Sequence, residues 1–264
     1  MENSSVCNIC GNLMEYCFEV KVLCKYLTNL NHCPQCGFLS LENPDWLDEA
    51  YSSSIVLSDT GLVMRNLTIS KQIAPLLFHL FGSNGMFVDF AGGTGLLVRL
   101  MRDVGFDFYW HDPFCTNIHA RGFEYDPGQS PVDAITAFEV LEHTIDPVDF
   151  LNETIELTGA GVIMISTELY KSYPPKAEDW WYYSFETGQH ISFFNRKTLE
   201  SIAHRLNYIY KPFNGIHVFY QEKYSNKVNS YFNSKVVKFI SKYKLNKSIS
   251  SLTMSDRKKL LNRV

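Results

Sequence analysis

Between Leu62 and Phe81 the apolar residues Leu62, Leu67, Ile69, Ile73, Leu76, Leu77 and Leu80 recur at helical spacing. Pro75 lies inside this pattern and has no backbone N–H to give, so a kink or two shorter helices are expected. Gly82-Ser83-Asn84-Gly85 then breaks the chain. Met86 to Phe90 reads as a short strand running into a glycine-rich turn, and Leu96 to Asp103 as the helix that follows. The same alternation continues with a strand at Phe106 to Trp110, a strand at Ala134 to Val140, a helix at Val148 to Leu157 and a strand at Val162 to Ser166. Strands alternating with helices at this pitch predict an α/β fold, a doubly wound, mostly parallel sheet covered on both faces. Glu42 to Ser58 mixes acids, Pro44 and serines and suits a connector. From Lys223 onward the chain turns to Lys, Asn and Ser around an apolar interval, Val236 to Ile240. That segment is either a terminal helix packed on the body or a loosely held basic appendage. No internal repeat is present.

Composition excludes several classes. With 264 residues, 45% hydrophobic and 14% aromatic, the chain can bury a core and is not wholly disordered. No run approaches the roughly 18 apolar residues of a membrane span. Met1 to Cys10 lacks the basic-then-apolar order of a signal peptide, so a soluble, cytoplasmic protein is expected. The net charge of −4 hides an asymmetry: residues 223–264 hold eleven bases against the single acid Asp256, leaving 13 bases and 27 acids elsewhere. An acidic body argues against nucleic acid as the partner, and an anionic partner would meet the tail.

Six of seven cysteines precede residue 37, and four form Cys7-Asn8-Ile9-Cys10-Gly11 and Cys33-Pro34-Gln35-Cys36-Gly37. Two Cys-x-x-Cys knuckles at this separation predict a four-thiolate zinc site. Four sulfur ligands leave no open position, so the metal is expected to be structural. Cys17, Cys24 and Cys115 read as small packed hydrophobes, with Cys24 or His32 as an alternative for one ligand.

Chemistry concentrates at Val88-Asp89-Phe90-Ala91-Gly92-Gly93-Thr94-Gly95, where a strand turns into a helix through small residues. Such a turn lets the backbone approach a ligand closely. Asp89 closes the strand, and Asp112 ends the next one 23 residues later, where doubly wound sheets present a carboxylate to a nucleoside ribose. A second segment runs Asp133-Ala134-Ile135-Thr136-Ala137-Phe138-Glu139-Val140-Leu141-Glu142-His143, followed by Asp146-Pro147. In order and separation the two segments resemble the class I S-adenosylmethionine-dependent methyltransferases, over about Leu62 to Phe219. The resemblance implies the Rossmann-like fold of that family and its cofactor. It implies that Asp89, Ala91, Gly93, Thr94 and Gly95 line the methionine moiety. Asp112 would hold the ribose, with Pro113 and Phe114 near the adenine, Glu124 or Asp126 near its amine, and Phe138 and Glu139 under the sulfonium. Ala91 replaces the family's first glycine, a change that an ordinary backbone torsion would accommodate.

The acceptor site of that family follows the fourth strand. Here that stretch includes Trp180-Trp181-Tyr182-Tyr183-Ser184-Phe185-Glu186-Thr187-Gly188-Gln189-His190, a plausible wall for a polar ring, or equally the core of an aromatic subdomain. His190-Ile191-Ser192-Phe193-Phe194 with Lys197-Thr198-Leu199 is similar to a stretch in bacterial methyltransferases of sugars and polysaccharide precursors. Members acting on sugar nucleotides also carry an N-terminal zinc module. The resemblance therefore implies a carbohydrate-type acceptor, with other small acceptors as the alternative. A non-catalytic binding module is a further alternative. Methyl transfer to a hydroxyl needs a base, and a neutral imidazole suits the task. His190 is the first candidate, Glu186 and Tyr183 its orienting partners, and His143 the reserve. The expected domains are a zinc module at 1–45, a methyltransferase domain at 46–222 and a basic tail at 223–264.

Overall fold

The computed structural model describes residues 5–51, 59–128 and 131–262. Strands β1 (Glu15–Val22), β2 (Tyr26–His32) and β3 (Leu39–Leu41) come first, followed by the single-turn α1 (Leu47–Ala50) and the long α2 (Leu62–Phe81). Then follow β4 (Met86–Phe90), α3 (Leu96–Val104), β5 (Asp107–His111), β6 (Ala134–Phe138), α4 (Pro147–Thr158) and β7 (Val162–Ser166). The last third contains β8 (Ser192–Phe193), α5 (Arg196–Arg205), β9 (Ile209–Phe213), β10 (Ile216–Tyr220), α6 (Ser225–Asn233), α7 (Lys235–Ser248) and α8 (Thr253–Leu261). The connector expected at Glu42 to Ser58 contains α1, and residues 52–58 lie outside the described residues.

A six-stranded sheet has the order β5-β4-β6-β7-β10-β9. Strand β4 pairs in parallel with both β5 and β6. Asn214 and Gly215 alone join β9 to β10, a connection too short for a parallel pair, so this hairpin makes the sheet mixed. The mostly parallel α/β architecture expected from the alternation is therefore present. Pro75 does not divide α2, which runs through all 20 residues. The carbonyl that proline leaves without a donor belongs to Lys71, an exposed residue whose backbone water can reach.

The chain forms two compact units, each assembled from separated segments, whereas the expected domains are consecutive. One comprises the described part of Met1–Val56 with Phe138–Glu156 and Ile165–Phe219. Its second sheet, β1-β2-β3-β8, joins the cysteine-rich N-terminus to the stretch containing His190: Leu39 faces Phe193 and Ser40 faces Ser192 in an antiparallel register. Val20, Val22, Leu30, Leu39, Trp46 and Phe193 share a core with Tyr170, Tyr182, Tyr183 and Ile191. The indole N–H of Trp46 donates to the Gly188 carbonyl at 2.8 Å, and the Tyr170 hydroxyl donates to the carbonyl of Gly37. The other unit comprises Leu57–Ala137, Leu157–Met164 and Tyr220–Val264. Its basic C-terminal segment is helical, and α7 packs on α2. Arg102 of α3 and Asp256 of α8 form a buried bidentate pair, at 2.8 Å for each bond.

Candidate functional site

Strand β4 delivers Asp89 to the start of the glycine turn, buried at 4% exposure. The Thr136 hydroxyl donates to Asp89 Oδ1 at 2.5 Å, and burial pushes the carboxyl's pKa up to about 7. Gly95 sits at φ 81° as the N-cap of α3, and an added Cβ would lie 2.6 Å from Asn117 Oδ1. Gly93 N–H donates to Asp112 Oδ2 at 2.9 Å, while the Trp110 indole donates to the Gly93 carbonyl at 2.9 Å. Asp112 Oδ1 accepts from the N–H groups of Phe114 and Cys115 at 2.8 and 2.9 Å. Pro113 is exposed beside it, and the Phe114 ring is 89% exposed. Thr94 is half-buried, and its carbonyl accepts from Ile118 and His119. Ala91 has φ 50°, so its torsion is left-handed and not the ordinary one expected. The turn keeps the geometry that glycine would supply, with a methyl group in a strained position.

The unit containing the N-terminus holds a separate polar cluster. Phe138 ends β6 half-buried, and the next residue, Glu139, also has a left-handed backbone, φ 55°. Glu139 accepts from the Ser166 hydroxyl at 2.5 Å, and its N–H lies 3.1 Å from the same oxygen. Three residues on, Glu142 is fully buried. Its Oε1 accepts from the Tyr182 hydroxyl at 2.6 Å, and its Oε2 has no hydrogen-bond partner among the described residues. Burial pushes the Glu142 carboxyl up from the usual carboxylate range. His143 and His190 lie edge to face with ring centres 4.9 Å apart. Each engages a backbone carbonyl through Nδ1: His143 that of Gln189 at 3.0 Å, His190 that of Tyr182 at 2.7 Å. With Nδ1–H donating, Nε2 of each ring is the basic nitrogen. Burial, reinforced by His190, lowers the His143 pKa to about 4. Ligand atoms of Glu142, His143 and His190 all lie within 4.8 Å of one another.

Glu186 and Tyr183 are not the partners of His190. Glu186 is exposed and accepts from the Ser184 hydroxyl, while Tyr183 is buried among Phe18, Phe185 and Phe193 and donates to the Pro175 carbonyl. The aromatic segment is thus mostly core, because Tyr182 and Tyr183 are needed to fill the space beneath β1, β2 and β3. The groups actually around His190 are the Tyr182 carbonyl and ring, His143 and Glu142. Glu142 lies within the quoted motif, and an acid directly after Val140-Leu141 and before His143 was the available signal.

The knuckles meet as expected. Cys7 and Cys36 sulfurs lie 3.5 Å apart and those of Cys10 and Cys33 3.4 Å apart, all four within 4.8 Å. A tetrahedron with metal–sulfur bonds of about 2.3 Å has sulfurs about 3.8 Å apart, so the donor set fits zinc. Each knuckle closes identically, Gly11 N–H to the Cys7 carbonyl and Gly37 N–H to the Cys33 carbonyl, both at 2.8 Å. The hydrogen bond from Cys36 lowers the Cys7 thiol to about 5, and the same bond pushes Cys36 upward. Cys24 is exposed at the turn between β1 and β2 and is not the packed residue expected, and neither it nor His32 belongs to the cluster.

The sequence profile of a family described as a methyltransferase domain matches residues 65–210. The match spans more than half of the chain, and the protein belongs to this family. Similar solved structures include an O-methyltransferase family 2 protein from Planctomyces limnophilus in complex with apigenin. It is 14% identical with a TM-score of 0.47, covering 68% of this chain and 62% of that one. The plantazolicin methyltransferase in complex with SAH is 12% identical with a TM-score of 0.44, covering 69% and 92%. Magnesium protoporphyrin IX methyltransferase from Synechocystis with bound SAM is 12% identical with a TM-score of 0.39, covering 67% and 90%. The chain spans less than two thirds of the length of several of these relatives, 25% for the small RNA methyltransferase HEN1 and 59% for the mitomycin 7-O-methyltransferase. No curated protein matches the sequence significantly.

Proposed function

We propose that the protein transfers a methyl group from S-adenosylmethionine to a hydroxyl of a carbohydrate-type acceptor, a sugar nucleotide or surface-polysaccharide precursor, with His190 as general base. When bound, the cofactor supplies a methyl group on a cationic sulfur that is an excellent leaving group. Asp89 and Asp112, each at a strand end, together with the left-handed turn through Gly93 and Gly95 fit a cationic amino-acid chain and a ribose. Phe114 offers an exposed ring for an adenine.

The observation that carries the base assignment is the His190 hydrogen bond to the Tyr182 carbonyl, which fixes the ring and leaves Nε2 to accept a proton. Glu142, buried near it, offsets the positive charge that forms on the imidazole. The carbohydrate acceptor is supported by the His190 to Leu199 sequence and the knuckles; other small acceptors are the competing class. The four cysteines hold a structural zinc, and β3–β8 pairing ties that module to the His190 segment. His190→Ala is expected to keep S-adenosylmethionine affinity by calorimetry and to lose about 100-fold in turnover across a panel of sugar nucleotides. Unchanged turnover would remove His190 as the base.

A second reading is favoured by Glu142 Oε2, which has no partner among the described residues: Glu142, His143 and His190 would hold a divalent cation, which would supply Lewis-acid polarisation of the acceptor oxygen. Chelator-treated protein that retains its zinc should then regain turnover at least about tenfold with Mn²⁺. Full turnover without added cation leaves the histidine base as the mechanism.

A further inference from the structure

Helix α7 packs one side on the body and leaves an apolar stripe on the other, uncovered among the described residues. Toward the body, Leu245 and Ser241 are buried, and Ser241 lies 3.2 Å from the ring nitrogen Nδ1 of His79 on α2. On the opposite side Val236, Phe239, Ile240 and Tyr243 repeat at helical spacing and are 66%, 71%, 43% and 52% exposed. Isolated exposed hydrophobics are common, but four aligned along one helix form a continuous stripe. Rows of lysine flank it: α7 contains Lys235, Lys238, Lys242, Lys244 and Lys247 and no acid. Asp256 is the one acid among the described residues from 223 onward, and it is consumed by Arg102 and Arg99. The stripe is therefore apolar at its centre and cationic at its edges, and α7 itself supplies no acid.

We propose that this face of α7 docks on an anionic lipid surface, lying in the interface with Phe239 and Ile240 inserted and the lysines among the headgroups. Both halves of the pattern bear on the choice of occupant. A polyphosphate such as RNA would use the lysines and gain nothing from Val236, Phe239 and Ile240. A second copy would use the apolar stripe but would bring two sets of five lysines together. An anionic bilayer interface uses both. No helix among the described residues is long and apolar enough to cross a membrane, so the association is peripheral.

The test is co-sedimentation of the full chain with vesicles of phosphatidylcholine alone or with about one third phosphatidylglycerol. Binding is expected on the mixed vesicles only, weakened by salt. The double variant Phe239→Ser with Ile240→Ser should lower partitioning at least about tenfold, as should Lys242→Glu with Lys244→Glu. All four positions are exposed, so circular dichroism and melting temperature should stay unchanged and separate lost docking from lost folding. Three results would overturn the proposal. One is equal partitioning on both vesicle types. Another is loss with the lysine variant but none with the serine variant, which would point to a polyanion. The third is a dimer in sedimentation equilibrium that the serine variant dissociates, which would assign the stripe to a second copy.

Discussion

Ala91 holds a left-handed backbone, φ 50°, at the first position of the glycine turn. An L-residue there costs roughly 1–2 kcal/mol, offset in part by the smaller entropy an alanine loses on folding. Ala91→Gly should therefore raise stability by up to about 1 kcal/mol in urea unfolding. Asp89 sets a pH dependence. Its folded pKa of about 7 lies above the 3.8 of a free carboxyl, so its contribution is complete below the lower value and is lost as pH rises through the higher one. The ligand-free protein should lose up to about 4 kcal/mol from this group between pH 4 and 8, and Asp89→Asn should remove that slope in melts across the range. The same ionisation should make S-adenosylmethionine bind more tightly at pH 8 than at pH 6, measured calorimetrically. At this scale the sequence made Asp89, Asp112 and the cysteines legible, since strand ends and knuckles are local patterns. It did not reveal the torsion of Ala91, nor that Tyr182 closes on Glu142 across 40 residues, because both are set by tertiary packing.

Elements that bury one face by local periodicity were readable almost to the residue: Met86–Phe90 and Val162–Ser166 match their expected bounds. The small sheet was not foreseen. Strands β1 and β2 find their core partners in Tyr170, Tyr182, Tyr183 and Phe193, far along the chain, and no local pattern announces that. Helix α5 shows how the module is tied in. Asn195 and Thr198 form a reciprocal capping box, Asn195 also donates to the Tyr170 hydroxyl, and Thr198 donates to the Cys36 carbonyl at 3.0 Å. Asn195→Ala should cost about 1–2 kcal/mol in urea unfolding, more than an exposed cap, because Tyr170 loses a donor as well. The basic tail illustrates the opposite limit: its composition left helix and appendage undecided, and three helices resolve it because α7 buries Ser241 and Leu245 on its side toward α2.

Across the whole molecule, a few distant pairs hold separated segments together. Arg102 and Asp256 are 154 residues apart and buried, and Arg102 also reaches Asp107 at 2.7 Å. Asp256→Ala should cost about 3 kcal/mol, measured by thermal or urea unfolding, since it strands most of a buried guanidinium. Metal analysis should find about one zinc per chain, and stripping it should lower the melting temperature and loosen the His190 segment in hydrogen exchange. The pairing of β3 with β8 has a further consequence, one of timing. Leu39 leaves the ribosome long before Phe193 exists, and roughly 150 residues of synthesis at 5–20 residues per second take on the order of ten seconds. During that interval the edge of β3 has no partner, and on the proposed zinc reading metal capture by the two knuckles is the local event that would hold the nascent N-terminal segment in shape. Cells starved of zinc should therefore lose this protein during translation, as aggregate on the polysome, rather than later as a mature enzyme that slowly unfolds.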